Sequence, residues 1–100
     1  VYLWLMNLGQ RLRSLRKQKG LLLREVAAHL EIDTAMISKI ERGEKHCKKE
    51  HLSKLAEILD ASEKELTILW LSDSVFNVVE NESLAVEALN ETLKRVAERK

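Results

Sequence analysis

The stretch LLLREVAAHLEIDTAMISKIERG, residues 21–43, decides how this chain folds. Val26, Ala27 and Leu30 fall on one face of a first predicted helix, roughly Leu23 to Leu30. Ile37 and Ile40 fall on one face of a second, Thr34 to Arg42, with Asp33 placed to cap it and Gly43 to end it. Between them Glu31-Ile32-Asp33 leaves room only for a tight turn. Ala27 is small enough for another helix to cross closely, and Ile32 can plug the turn. Val26, Leu30, Ile37 and Ile40 then supply a shared core.

Helix, three-residue turn, helix is the spacing of a helix-turn-helix. At about 100° per residue, with Ile37 and Ile40 inward, Ala35, Lys39 and Arg42 face outward and Ser38 and Met36 flank them. A small, polar and basic face suits a helix in a major groove, where lysine can reach guanine and a methyl can meet thymine. The same face would equally serve as an ordinary solvated surface.

Charge favours the first reading. Residues 1–49 hold eleven Lys/Arg against five Asp/Glu, a net charge of +6, and residues 50–100 hold six against eleven, a net charge of −5. The overall +1 is a near cancellation between a basic half fit for a polyanion and an acidic half that is not.

Upstream, Asn7 and Gln10 form a predicted capping box for a helix carrying Leu8, Leu12 and Leu15, and Gly20 stops it. Downstream, a fourth helix of about Lys48 to Leu59 buries Leu52, Leu55, Ala56 and Leu59. Ser62 and Glu65 are read as a second capping box, opening a fifth helix. That helix is apolar on two sides: Leu66, Leu69, Trp70 and Phe76 on one, Ile68, Leu71, Val75, Val78 and Val79 on the other. One side can close the core. The other needs a sixth helix folded back on it, a partner subunit, or both. Ser83 is placed to cap that sixth helix, which carries Val86, Leu89, Leu93 and Val96 to about Glu98.

The expectation is an all-α chain with one core. It has no proline and three glycines, is 45% apolar and 33% charged, and is rich in helix formers. Val1 to Leu5 is too short for a signal-peptide core, and no apolar run approaches the roughly 20 residues that span a membrane. The single Cys47 cannot form an internal disulfide, which fits the cytoplasm. Cys47 beside Lys45, Lys48 and Lys49 could be a low-pKa thiol, but an inert one is the simpler reading. His46, Cys47, Glu50 and His51 match no standard zinc spacing, so no metal or cofactor is expected. Trp4 and Trp70 read as core or interface anchors. No nucleophile triad, glycine-rich phosphate loop or paired-carboxylate site is visible, which argues against an enzyme.

LGQRLRSLRKQKG (8–20), LREVAAHLEI (23–32) and DTAMISKIERGEK (33–45) resemble the Cro/phage-repressor, or Xre-like, helix-turn-helix family. The run Ser38 to Gly43 is its most specific signature, and HLSKLAEILDASEKEL (51–66) resembles its closing helices. The resemblance implies a five-helix repressor-like bundle, residues 7–71, followed by an extended C-terminal helical dimerisation element, 72–100. Two departures stand out. Leu22 and Leu23 occupy positions where the family usually has Ser or Thr, then Gln, and Cys47 stands where proline is common.

The resemblance also implies roles. Glu41 pairs with Arg16, either as a partly buried tie between the first and third helices or as a surface pair worth under about 1 kcal/mol. Thr34, Ala35, Met36, Ser38 and Lys39 are candidates for DNA base readout, and Arg24, Arg42, Lys45 and Lys48 for phosphate contacts. A symmetric reader of this kind is expected to be a homodimer, with Leu71, Val75, Phe76, Val78, Val79, Leu89 and Leu93 at its interface. The length and pattern of 72–100 resemble those of regulators encoded beside restriction–modification or mobile-element genes. The expected function is a transcriptional regulator on double-stranded DNA, a repressor or autoregulator at the nucleoid. The alternative is a protein-interaction module, such as an antitoxin whose tail binds a partner.

Overall fold

The computed structural model describes residues 6–99. Val1–Leu5, with the anchor expected at Trp4, lie outside the described residues. Six helices follow one another: α1 (Leu8–Gln18), α2 (Leu23–Leu30), α3 (Thr34–Glu41), α4 (His51–Leu59), α5 (Glu63–Val79) and α6 (Ala85–Glu98). There is no strand among the described residues.

The helix ends are set by local chemistry. At α1 the Asn7 side chain accepts from the Gln10 amide at 2.9 Å and the Gln10 side chain accepts from the Asn7 amide at 3.1 Å, a complete capping box. Gly20 and Gly43 take positive φ of 68° and 78° and stop α1 and α3. In each case the next amide reaches back five residues to a helix carbonyl, Leu21 to Arg16 and Glu44 to Lys39. α2 and α4 stop in the same left-handed backbone without glycine, at Glu31 (φ 59°) and Asp60 (φ 52°).

Four expected ends differ. Asp33 sits at the start of α3 but its side chain caps nothing; its carbonyl instead accepts from the Met36 and Ile37 amides. Residues 48–50 form a turn, so α4 starts at His51. Ser62 caps α5 through the Glu65 amide at 3.1 Å, yet the Glu65 carboxylate does not return the bond, because Arg11 holds it at 3.0 Å. Ser83 does not cap α6, whose N-cap position is Leu84 with no side-chain bond.

The core is built by the first four helices and the opening of α5. Leu8, Leu12 and Leu15 meet Val26, Ala27, Leu30, Ile37, Ile40, Leu52, Leu55, Ala56, Leu59 and Leu66, and Cys47 joins them. α2 packs on α3 and α4, and α1 on α3, α4 and α5. Gly9 lies where α1 approaches the end of α3. A Cβ there would sit 2.7 Å from the Glu41 carbonyl oxygen and closer still to that of Ile40. Only glycine admits that approach.

α5 runs unbroken to Val79, but its core contact ends early. Leu66 is buried and Leu69 and Trp70 are partly so. Phe76, expected on the same side, is exposed beside Ile68, Leu71, Val75 and Val78. The sixth helix does not fold back to cover them: no residue of α6 is buried.

Candidate nucleic-acid interface

α3 presents its outward face from a fixed mount. Ile37 and Ile40 are buried and anchor it, while Thr34, Ala35 and Lys39 are exposed. Met36 is half-buried against the core and Ser38 is half-buried beside them. The mount is reinforced by Arg16 and Glu41. Arg16 Nε donates to Glu41 Oε2 at 2.7 Å, Nη2 donates to Oε1 at 3.0 Å, and Nη1 donates to the Leu21 carbonyl at 2.9 Å. One guanidinium therefore ties α1, the α1–α2 link and α3 together. The Glu41 hydrogen bond outweighs burial and raises the Arg16 pKa.

The start of α2 is capped without a cap side chain. Leu22 offers none, but the Glu25 carboxylate accepts from the Leu22 amide at 2.8 Å. That is half of a capping box; the Glu25 amide, which a hydroxyl at residue 22 would accept from, turns back to the Leu22 carbonyl at 3.0 Å. Leu23 at this helix start lines a surface cleft with Arg13, Arg16, Ser38, Glu41 and Arg42. A helix N-terminus with exposed Arg13 and Arg42 beside it is an anion-receptive arrangement. Arg13 was not singled out by the sequence pattern, because it looks like any other basic residue of α1.

Arg42 is not free in the unbound protein. Its Nε and Nη2 donate to the two Glu44 oxygens at 2.8 and 3.2 Å, and Nη1 donates to Ser38 Oγ. The pairing raises the Arg42 pKa and lowers that of Glu44, both chiefly by hydrogen bonding. Arg24 and Lys48 are exposed. Lys45 is exposed too, and lines a different groove, with Asn7, Asp73, Phe76 and Asn77 among its walls.

The loop after α3 is docked on α5. Trp70 Nε1 donates to the Cys47 carbonyl at 2.6 Å, and the His46 ring stacks on Trp70 with centroids 4.7 Å apart. Ser74 Oγ lies 3.1 Å from His46 Nε2. Cys47 is 3% exposed, and burial pushes its thiol up to about 11. The low-pKa thiol weighed from its lysine neighbours is therefore overturned: desolvation is the largest influence on the thiol, and the nearby Asp73 charge pushes it the same way.

α5 is also fastened to α1. Asp73 Oδ2 accepts from the Leu8 amide at 3.0 Å, satisfying a helix-start donor, and Glu65 holds Arg11. Neither tie was legible beforehand, since both join residues more than fifty positions apart.

The comparisons agree with this geometry. A family model described as a helix-turn-helix domain matches residues 7–68. The high-resolution crystal structure of the restriction-modification controller protein C.AhdI from Aeromonas hydrophila is similar at 37% sequence identity and a TM-score of 0.56. The match covers 65% of this chain and 98% of that one. No curated protein sequence matches. The chain belongs to the Xre-like helix-turn-helix family of DNA-binding transcription regulators, a family of regulators rather than enzymes.

Proposed function

We propose that the chain reads a roughly palindromic operator as a homodimer, as a repressor or autoregulator, with α3 in the major groove. The observation that carries this is the exposure of Thr34, Ala35 and Lys39 on a helix whose opposite face is anchored by buried Ile37 and Ile40. Lys39 and Ser38 read base edges, with Thr34, Ala35 and Met36 around them. Arg24, Arg42, Lys45 and Lys48 contact phosphates and set register without reading sequence. Arg13 joins them at the α2 cleft.

The division of labour follows the charge. Residues 7–71 form the DNA-binding domain and 72–100 the oligomerisation extension. The exposed Leu71, Val75, Phe76 and Val78, with Val79, Leu89 and Leu93, form the dimer interface, since so much apolar surface on one protomer is costly to leave in water. Likeness to a restriction-modification controller protein supports control of genes of that kind. No helix among the described residues is long and apolar enough to cross a membrane, which accords with action at the nucleoid in the cytoplasm.

Selection of bound DNA from a random pool at fixed salt tests the proposal. A palindromic consensus is the expected result. Absence of enrichment would reject it and put the protein-interaction module, with the tail binding a partner, in its place.

A further inference from the structure

α6 lies wholly beyond the family-matched residues and presents an apolar stripe that the described chain leaves uncovered. Val86 is 67% exposed, Leu93 66%, Val96 51% and Leu89 37%. The sequence from Val86 to Val96 is VEALNETLKRV. Its stripe reads the same from either end: Val, two residues, Leu, three residues, Leu, two residues, Val. Ala85 and Ala97 extend the symmetry by one position on each side. The alternating spacing of three and four is that of a helix-pairing seam.

Charge along the helix is not symmetric. Glu82, Glu87 and Glu91 occupy the first part and its approach, while Lys94, Arg95 and Arg99 occupy the last part, with Glu98 the exception. Glu87, Glu91 and Arg95 lie on the face away from the stripe and do not pair across it. A second copy laid parallel would align the two helix dipoles and run acidic half along acidic half, whereas one laid antiparallel opposes the dipoles favourably and runs each net-acidic half along a net-basic one.

We propose that α6 pairs with α6 of a second copy of this chain, antiparallel. Val86 meets the partner's Val96 and Leu89 meets the partner's Leu93. The two-fold axis then lies level with Glu91. In such an isologous contact every favourable meeting occurs twice. Glu91 itself lies about 200° around the helix from Leu89, on the far side of the seam, so its two copies do not collide. The inference rests on the homodimer reading and adds orientation and register to it.

The test uses the full chain with single thiols introduced at exposed positions. Leu89→Cys and Leu93→Cys proteins are oxidised mildly, separately and after co-refolding as a mixture, and crosslinks are mapped by mass spectrometry. Native Cys47 is buried and does not compete. The expected result is a crosslink between positions 89 and 93 in the mixture and little in either protein alone. Like positions are four residues out of step in the antiparallel register, about 6 Å along the axis. Efficient crosslinking of Leu89→Cys with itself would mean parallel pairing and overturn the proposal. No crosslink anywhere, with the wild-type protein sedimenting as a dimer, would overturn it while leaving the homodimer in place. A wild-type monomer at all concentrations would overturn both.

Discussion

Arg16 grips Glu41 with two parallel contacts of 2.7 and 3.0 Å, and both side chains are nearly withdrawn from solvent. Removing one partner leaves a poorly solvated charge. Glu41→Ala and Arg16→Ala should each cost about 3 kcal/mol. A double-mutant cycle on urea unfolding checks this, and a coupling energy near zero would show the pair to be incidental.

Gly9→Ala should destabilise the fold by about 2 kcal/mol, although alanine is the better helix former. The obstruction is backbone, the carbonyls of Ile40 and Glu41, and cannot swing aside. Thermal unfolding reads the sign: a raised Tm would mean α1 can retreat without loss.

Glu31→Gly should do the opposite. Glu31 holds a left-handed backbone between α2 and α3, where a side chain costs about 1 kcal/mol or more. Its 3.8 Å contact with Lys54 is exposed and offsets little of that. Denaturant midpoints should rise, and a fall would point to a role for the carboxylate.

Cys47 should resist alkylation. With its pKa raised from 9.0 to about 11, the native thiolate fraction at pH 8 is about 100-fold below that of the unfolded chain. The same shift makes stability depend on pH. The folded thiol holds its proton more tightly than the unfolded one, so this contribution is present below pH 9 and lost as pH rises through about 11. Alkylation at equal rates in native and denatured protein would contradict the burial.

On DNA, Lys39→Ala should relax sequence preference. Arg42→Ala should weaken all sequences and lower the salt slope by up to about one. Glu44→Gln should tighten binding, because Glu44 occupies the Arg42 guanidinium that a phosphate would need. Titrations at three salt concentrations separate these effects. An unchanged affinity for Glu44→Gln would place Arg42 away from the phosphates.

The sequence revealed the periodic features well. Ile37 and Ile40 against Lys39, the Asn7–Gln10 box and the stops at Gly20 and Gly43 are local patterns with few alternative readings. Features fixed by distant partners stayed hidden. Glu65 looked like a capping partner for Ser62, but Arg11 competes for the same carboxylate. Gly9 carries no periodic signal in the sequence, and its role as the crossing point of α1 and α3 depends on the distant carbonyls of Ile40 and Glu41. Phe76 shared a helical face with Leu66, yet α5 outruns the core before reaching it, and helical angle alone does not show where a core ends.

The ties of α5 to α1 through Glu65 and Asp73 have a mechanical consequence. α1 also holds α3, through Gly9 and Arg16. A rotation applied to α5 is therefore carried into α3 through α1, and also through α4 and α2, which link the two by packing. A molecule built in this way behaves like a caliper: the angle at which α3 is offered is set by whatever α5 is clamped to.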